Sequence, residues 1–198
     1  MSQEWFNSTV ISAGIISYLL GSTPFSNIVA HFRAGIDLRT VGTGTVTPRN
    51  LYDAAGVLPA ALAVIFEVAK GVAGPLLVVH RPLIVMAVVG TAAVAGHNWS
   101  IFLKGAGGRG VSTATGVLFV MAWPGALVMC AGLILGILTK RVGPAISLAF
   151  CALLPVLAFV GGAMALYGGL IVLAPIAVKT AILVRKRGAP TLRRPARS

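Results

Sequence analysis

The sequence predicts an all-α integral membrane protein of about seven transmembrane segments, some of them short, with the N-terminus outside and the C-terminus cytoplasmic. Three observations carry that prediction. Hydrophobic residues make up 57% of the 198 and charged residues only 10%, whereas a soluble domain carries about 25% charge. The mean hydropathy is +0.94. The apolar residues fall into runs near the roughly 20 residues that cross a bilayer as helix, and the basic residues collect between those runs.

The runs lie at about 9–31, 56–79, 83–103, 112–138, 143–162 and 163–184. The first follows Glu4 rather than a basic n-region and has no evident small-residue cleavage pattern, so it reads as a retained span and not a signal peptide. Six spans, however, conflict with the charges. With the 33–55 and 104–111 loops inside, a single span over 112–138 would leave Lys140, Arg141 and the basic C-terminal tail outside. A turn at Trp123-Pro124-Gly125 splits that run into 112–122 and 125–139 and restores the bias, because Pro removes a helix donor and Gly permits reversal.

In the resulting arrangement thirteen of sixteen Lys and Arg are cytoplasmic, with Arg81 outside and Lys70 and Lys179 within spans. Residues 1–184 form one transmembrane domain, and 185–198 a basic cytoplasmic tail expected to be disordered. Gly132 and Gly136 suit close helix packing. Lys179, about one and a half turns before the tail, is expected to snorkel toward it. Cys130 and Cys151, lone residues in apolar runs, read as small buried hydrophobes rather than a disulfide or metal pair. A net charge of +12 would suggest nucleic acid in a soluble protein. Here it serves orientation and anionic headgroups, so membrane lipid and no nucleic acid is the expected partner.

Two polar, glycine-bearing, basic loops interrupt the hydrocarbon. The first is Gly42-Thr43-Gly44-Thr45-Val46-Thr47-Pro48-Arg49-Asn50; the second runs from Gly96-His97-Asn98-Trp99 through Lys104-Gly105-Ala106-Gly107-Gly108-Arg109-Gly110. Backbone N–H groups of such turns can cradle phosphate, with Thr43 and Thr45 adding hydroxyls and Lys70, Lys104 and Arg109 adding charge. Glu67 and Lys70 share a helical face and can neutralise each other, but ionisable groups inside a span point first to function. His97 reads as orienting its helix through a backbone hydrogen bond, Asp37 and Arg39 as pairing with each other, and His31 and His80 as interfacial. No Ser-His-Asp or Cys-His arrangement and no metal-ligand spacing occurs, so neither metal nor cofactor is expected.

The order of these features resembles the acyl-phosphate:glycerol-3-phosphate acyltransferase (PlsY) family of bacteria, of which this chain would be a divergent member. Gly21-Ser22-Thr23-Pro24-Phe25, Gly35-Ile36-Asp37-Leu38-Arg39 and Val41-Gly42-Thr43-Gly44 are similar to G-S-x-P-x-G, G-x-D-[LI]-R and V-G-S-G-N-x-G-A-T-N. Glu67-Val68-Ala69-Lys70-Gly71 resembles D-x-x-K-G, and Gly96-His97 through Thr113 resembles G-H-x-x-x-x-F-x-x-F-x-G-G-K-G-V-A-T. The likeness covers most of residues 14–116. It departs at Thr45 in place of Asn, Thr47 and Arg49 in place of Gly and Thr, Asp53 in place of Arg, and Arg109 in place of Lys. The tail reads Arg185-Lys186-Arg187-Gly188-Ala189-Pro190, without the His and Asn of H-R-x-N-I.

The resemblance implies acyl transfer from acyl phosphate to glycerol 3-phosphate, giving lysophosphatidate, in a multi-pass protein of the bacterial inner membrane. It implies Lys70, Arg109 and His97 as catalytic candidates. The implied substrate and phosphate contacts are Gly42, Thr43, Gly44, Thr45, Arg49, Asn50, Lys104, Gly107, Gly108 and Gly110. Acyl phosphate is already activated, so positioning and charge stabilisation suffice without a protein nucleophile. Arg49 could substitute for the arginine replaced by Asp53. Two alternatives remain open at this point. One is a non-catalytic or re-purposed relative that binds phospholipid or a phosphate metabolite, or regulates a partner membrane enzyme, favoured by Asp53 and the altered tail. The other is a transporter of an anionic metabolite, suggested by Glu67 and Lys70.

Overall fold

The computed structural model of the protein describes residues 7–139 and 141–188, with side chains through Arg185. Eight α-helices and a single 3-10 turn, with no strand, make up the regular structure of these residues: α1 Ser8–Ser22, α2 Phe25–Ala34, α3 Pro48–Ala55, α4 Val57–Leu76, α5 Leu83–Asn98, the turn Ile101–Leu103, α6 Val111–Met121, α7 Trp123–Leu138 and α8 Val142–Gly188. Spans long and apolar enough to cross a membrane are Ser8–Ala34, Val57–Leu76, Leu83–Leu103 and Val142–Arg185, while α6 and α7 are shorter apolar helices. Gly162, with φ 63° and ψ −161°, breaks α8 into two stretches. The seven expected segments are therefore present as helix, the all-α class included.

Local chemistry sets the boundaries. Asn7 caps α1 by accepting from the Val10 N–H at 3.2 Å, satisfying one of the first-turn donors that have no intrahelical partner. The first expected run is not one helix. It breaks at Thr23-Pro24, where Pro24 leaves helical dihedrals at φ −89° and ψ 65°, because the ring cannot continue the ladder. The break between α6 and α7 falls at Ala122, φ −158° and ψ 78°, one residue earlier than the Trp123-Pro124-Gly125 turn expected. Trp123 and Pro124 instead open α7, where a missing N–H costs nothing. The 33–55 stretch, expected as loop, contains α3, whose cap is Thr47, its hydroxyl accepting from the Asn50 N–H at 3.2 Å.

Helix α5 sits at the centre, packed by α1, α4, α6 and α8, and α7 packs against α8. Ala87, Val94, Ala114, Val117, Val172 and Ile176 fill the space between α5, α6 and α8. Leu118, Met129, Leu153 and Leu157 fill that between α6, α7 and α8. Small residues bring backbones together: a Cβ on Gly71 would strike the Thr113 carbonyl, and one on Gly116 the Val68 carbonyl, so α4 and α6 lie nearly in backbone contact. Gly132 and Gly136 pack against Ala149 and Val142 in the same way, as expected. The outer surface is apolar, Phe159 being 93% exposed, which in a bilayer means lipid contact.

Cys130 and Cys151 are free thiols, but neither is buried as expected: Cys130 is half-buried and Cys151 is exposed on the helix surface. Its position on α8 faces outward with Leu148 and Phe159. Helix α8 continues to Gly188; the rest of the tail expected to be disordered, with Arg193, Arg194 and Arg197, lies outside the described residues, as does Lys140.

Candidate functional site

The first loop is organised by Asn50. Its amide nitrogen donates to the carbonyls of Leu38 at 3.0 Å, Val41 at 3.1 Å and Thr45 at 3.1 Å. Its Oδ1 accepts from the Thr43 N–H at 3.2 Å. The side chain is 1% exposed, so Asn50 holds the loop's shape and presents nothing outward. Gly42 and Gly44 take φ of 55° and 67°, backbone that favours glycine. Gly42 also has no room for a Cβ, which would meet Asn50 Oδ1. Thr43 and Thr45 hydroxyls lie 2.7 Å apart, with Thr45 buried below and Thr43 exposed above. Ala30, Leu38, Val46, Leu51, Ala63 and Leu103 form a buried apolar cluster that packs this loop.

The second loop folds onto the first. The Val46 N–H donates to the Gly107 carbonyl at 3.2 Å, and the Gly108 N–H to the His97 carbonyl at 3.2 Å. Gly108 has no room for a side chain, since a Cβ would meet His97 Nε2 and, at 2.5 Å, the Val46 carbonyl. Lys104 and Gly105 turn the chain with φ 55° and 80°, and Gly110 at φ 78° opens α6. Lys104 is exposed and Arg109 half-buried. Neither belongs to an ion pair among the described residues.

Under both loops lies a buried ionic cluster centred on Glu67. Its Oε2 is 2.7 Å from Lys70 Nζ and 2.7 Å from His97 Nδ1. Its Oε1 accepts from the Ser26 hydroxyl at 3.1 Å and backbone N–H at 3.4 Å, while Thr113 donates to Oε2 at 3.4 Å. Glu67 is 0% exposed and Lys70 5%. A buried charge requires such partners. Lys70 donates in addition to the Thr23 carbonyl at 2.9 Å, which the α1–α2 break frees from the helix ladder, and sits 5.9 Å from the Phe25 ring centroid. The Glu67–Lys70 pairing expected from spacing is present. His97 was expected to bond backbone; its Nδ1 bonds the Glu67 carboxylate instead, which turns Nε2 toward Gly108.

These pieces meet around a crevice too tight to admit a water molecule, lined by Thr23, Val46, Lys70, His97, Ser100 and Gly107 among others. The fold thus brings Lys70, His97, Gly107 and Gly108 together with Val46 of the first loop, while Thr45 bonds within its own loop. Arg49 stands apart from this arrangement. It is exposed on α3, its Nε 3.0 Å from Asp53 Oδ2 and its guanidinium 5.6 Å from the Tyr52 ring centroid. Asp37 and Arg39 pair as expected, at 2.6 Å. The Arg39 hydrogen bonds hold the Asp37 carboxyl down at about 2.

Glu67, paired in the sequence reading with Lys70 alone, joins α2, α4, α5 and α6. An acid inside an apolar run was the available signal. Lys179 was expected to snorkel to the tail, but it is 8% exposed, its Nζ donating to the Asn98 carbonyl and lying 5.4 Å from the Trp99 ring centroid. No group of three His, Cys, Asp or Glu that could hold a metal ion occurs among the described residues.

Known proteins share this architecture. The family described as glycerol-3-phosphate acyltransferase matches residues 11–190. A glycerol-3-phosphate acyltransferase of Shouchella clausii is 38% identical over 159 residues, covering 77% of this chain and 76% of that protein. One of Brucella suis is 33% identical over 162 residues, covering 82% of this chain and 81% of its own. A crystal structure of PlsY (YgiH), an integral membrane glycerol 3-phosphate acyltransferase, in its glycerol 3-phosphate form, superposes with a TM-score of 0.80 at 28% identity over 91% of this chain and 92% of that one. Its lysophosphatidic acid form gives 0.78 at 25% identity with the same coverage.

Proposed function

Because the chain belongs to the glycerol-3-phosphate acyltransferase family, we propose that it transfers an acyl group from acyl phosphate to glycerol 3-phosphate, giving lysophosphatidate and phosphate. The hydroxyl oxygen of glycerol 3-phosphate attacks the acyl carbon. The bond from that carbon to the phosphate oxygen breaks, and the phosphate leaves with the electron pair and takes up the hydroxyl proton. Both substrates are phosphate anions, so the work left to the protein is to hold them in line and to stabilise the charge that develops on the departing oxygen.

The observation that carries this reading is the backbone bond from Val46 to the Gly107 carbonyl at 3.2 Å, which closes two glycine-rich loops over the Glu67–Lys70–His97 cluster. The N–H groups of Thr43, Gly44 and Gly108 are engaged by Asn50 Oδ1 and the Val41 and His97 carbonyls, so the remaining N–H groups of residues 42–45 and 107–110, the Thr43 and Thr45 hydroxyls and the Arg109 charge supply the contacts to the phosphates. Lys70 and His97 form the floor, and Lys104 adds a cation at the rim. The loops lie on the cytoplasmic face of the inner membrane in this reading, with the N-terminus outside, as the distribution of Lys and Arg favours.

A second reading is favoured by one contact. Asp53 neutralises Arg49 at 3.0 Å, which removes a cation from the rim and suits a relative that binds a phosphate metabolite or phospholipid without turning it over. Purified protein in lipidic medium, given palmitoyl phosphate with and without glycerol 3-phosphate, separates the two. Lysophosphatidate by mass and phosphate release that depend on both substrates support acyl transfer; folded protein that binds glycerol 3-phosphate and makes no product supports the second reading.

A further inference from the structure

We propose that Lys179 is a positioning residue for the second glycine-rich loop, acting through Asn98 and Trp99, and that α8 reaches the candidate site by this route; the inference rests on the acyl-transfer reading above. Lys179 is buried to 8% exposure in an apolar helix, a place where an ammonium is costly and where a role is the first expectation. Its Nζ donates to the Asn98 carbonyl and lies 5.4 Å from the Trp99 ring centroid, a cation–π contact strengthened by desolvation. One helical turn earlier, the Pro175 carbonyl accepts from Asn98 Nδ2 at 2.9 Å. Helix α8 therefore grips Asn98 by both its side chain and its backbone.

What Asn98 touches next is the glycine loop itself. A Cβ on Gly107 would strike the carbonyls of His97 and Asn98, and one on Gly110 would lie 2.7 Å from Asn98 Oδ1. The Gly108 N–H bonds the His97 carbonyl at 3.2 Å. The dihedrals of the peptide after Asn98 thus set where Gly107, Gly108 and the half-buried Arg109 stand, and the ammonium of Lys179 fixes that peptide by a charge-assisted hydrogen bond. Tyr18 holds the other side, its hydroxyl donating to the Trp99 carbonyl at 2.8 Å, and without Lys179 the hold of α8 on this segment falls to the single Asn98–Pro175 bond.

The test compares Lys179→Met, which keeps length and apolar packing, with Lys179→Arg, which keeps the charge and a donor, in full-length protein assayed with palmitoyl phosphate and glycerol 3-phosphate. The expected result is a rise of about tenfold in KM for one of the two phosphate substrates in Lys179→Met, with most of the loss recovered in Lys179→Arg. A purely structural role would lower apparent kcat in proportion to the folded fraction and leave KM alone, and that result overturns the proposal, as does wild-type kinetics in Lys179→Met. Should Lys179→Met not fold, Lys179→Leu, which also lacks a donor, takes its place, with the same KM rise expected and an unchanged KM refuting the role. Absence of turnover in the unsubstituted protein sinks the acyl-transfer reading instead. The emission of Trp99 in a Trp5→Phe, Trp123→Phe background then decides. A change on adding glycerol 3-phosphate that Lys179→Met abolishes supports the role, and an equal response, or none in either protein, refutes it.

Discussion

His97 Nδ1 on α5 lies 2.7 Å from Glu67 Oε2 on α4, and the same oxygen lies 2.7 Å from Lys70 Nζ. One buried carboxylate thus fixes two of the three catalytic candidates. Replacing Glu67 by Ala leaves the Lys70 ammonium buried with a single carbonyl partner, a change that costs about 3–5 kcal/mol where buried pairs are broken. Reversible unfolding in mixed micelles should show a loss of that size. The Glu67→Ala, Lys70→Met double variant, set beside Lys70→Met alone, should recover much of it, because apolar replacement of both partners removes the orphaned charge. Additive losses would mean the two residues do not depend on each other.

Asn50 joins four backbone groups of the first loop. Asn50→Asp keeps the size and the acceptor for Thr43 but loses every donated bond and brings a carboxylate against three carbonyls. Hydrogen exchange of the 41–47 amides should quicken in this variant, with kcat/KM down at least about a hundredfold and the helix content unchanged. Normal exchange in that stretch would show that the loop holds its shape without Asn50.

Much of this arrangement was legible before the fold was in hand, and the physical reason differs from part to part. The spans followed from apolar run length, and the split between α6 and α7 from Lys140, Arg141 and the tail, since charge placement constrains topology independently of hydropathy. The break itself lies at Ala122 because Pro124 is tolerated in the first turn of a helix, so a proline marks a boundary only to within a residue or two. Helix α3 was hidden, being short and polar, and its Thr47 cap with Pro48 behind it was the sign passed over. The pairing of Glu67 with Lys70 was local in sequence, but its bonds to Ser26, His97 and Thr113 join residues 30 or more positions away, and no spacing rule reports those. Lys179 misled because a lysine near a basic tail is ordinarily a snorkelling one.

Gly108 packs its Cα against His97 and Val46 with no space for a methyl. Gly108→Ala should force the two loops apart and lower kcat/KM by about a hundredfold or more, while the hydrocarbon core, which lies below, keeps its melting temperature within a few degrees. A fully active Gly108→Ala protein would mean the loops do not have to close for turnover.

Asp37 sits in the loop between α2 and α3, outside the spans, with its carboxyl held down at about 2 by hydrogen bonds from Arg39. The ordinary value is 3.8, so the folded state favours the ionised form. The stabilisation is complete above the ordinary value and is lost as pH falls through about 2. Local exchange protection of residues 37–40 should hold steady from pH 6 to pH 4 and weaken only in stronger acid. Asp37→Asn should abolish that acid-dependent step. Protection that falls between pH 5 and 4 in the unsubstituted protein would refute the pairing. The pair is partly exposed, so its effect on global stability should be small.

Arg49 and Asp53 form an exposed pair one helical turn apart, with side chains 48% and 47% exposed. Ion pairs of this kind contribute about 0–1 kcal/mol, so Asp53→Ala should leave stability nearly unchanged. The effect on ligand should be larger, because Asp53 both occupies Arg49 and places a negative charge beside a loop that is to receive dianionic phosphate. Asp53→Arg releases the Arg49 guanidinium and converts that anion to a second cation, capable of bidentate contact with phosphate. The KM for glycerol 3-phosphate should fall in Asp53→Arg, and the fall should shrink as salt is raised, since contacts at this exposed rim are screened within about 10 Å at 0.1 M ionic strength. Asp53→Ala should give a smaller shift in the same direction. If KM does not move in either variant, the Arg49–Asp53 pair lies too far from the bound phosphate to matter, and the loop N–H groups with Arg109 and Lys104 carry the recognition.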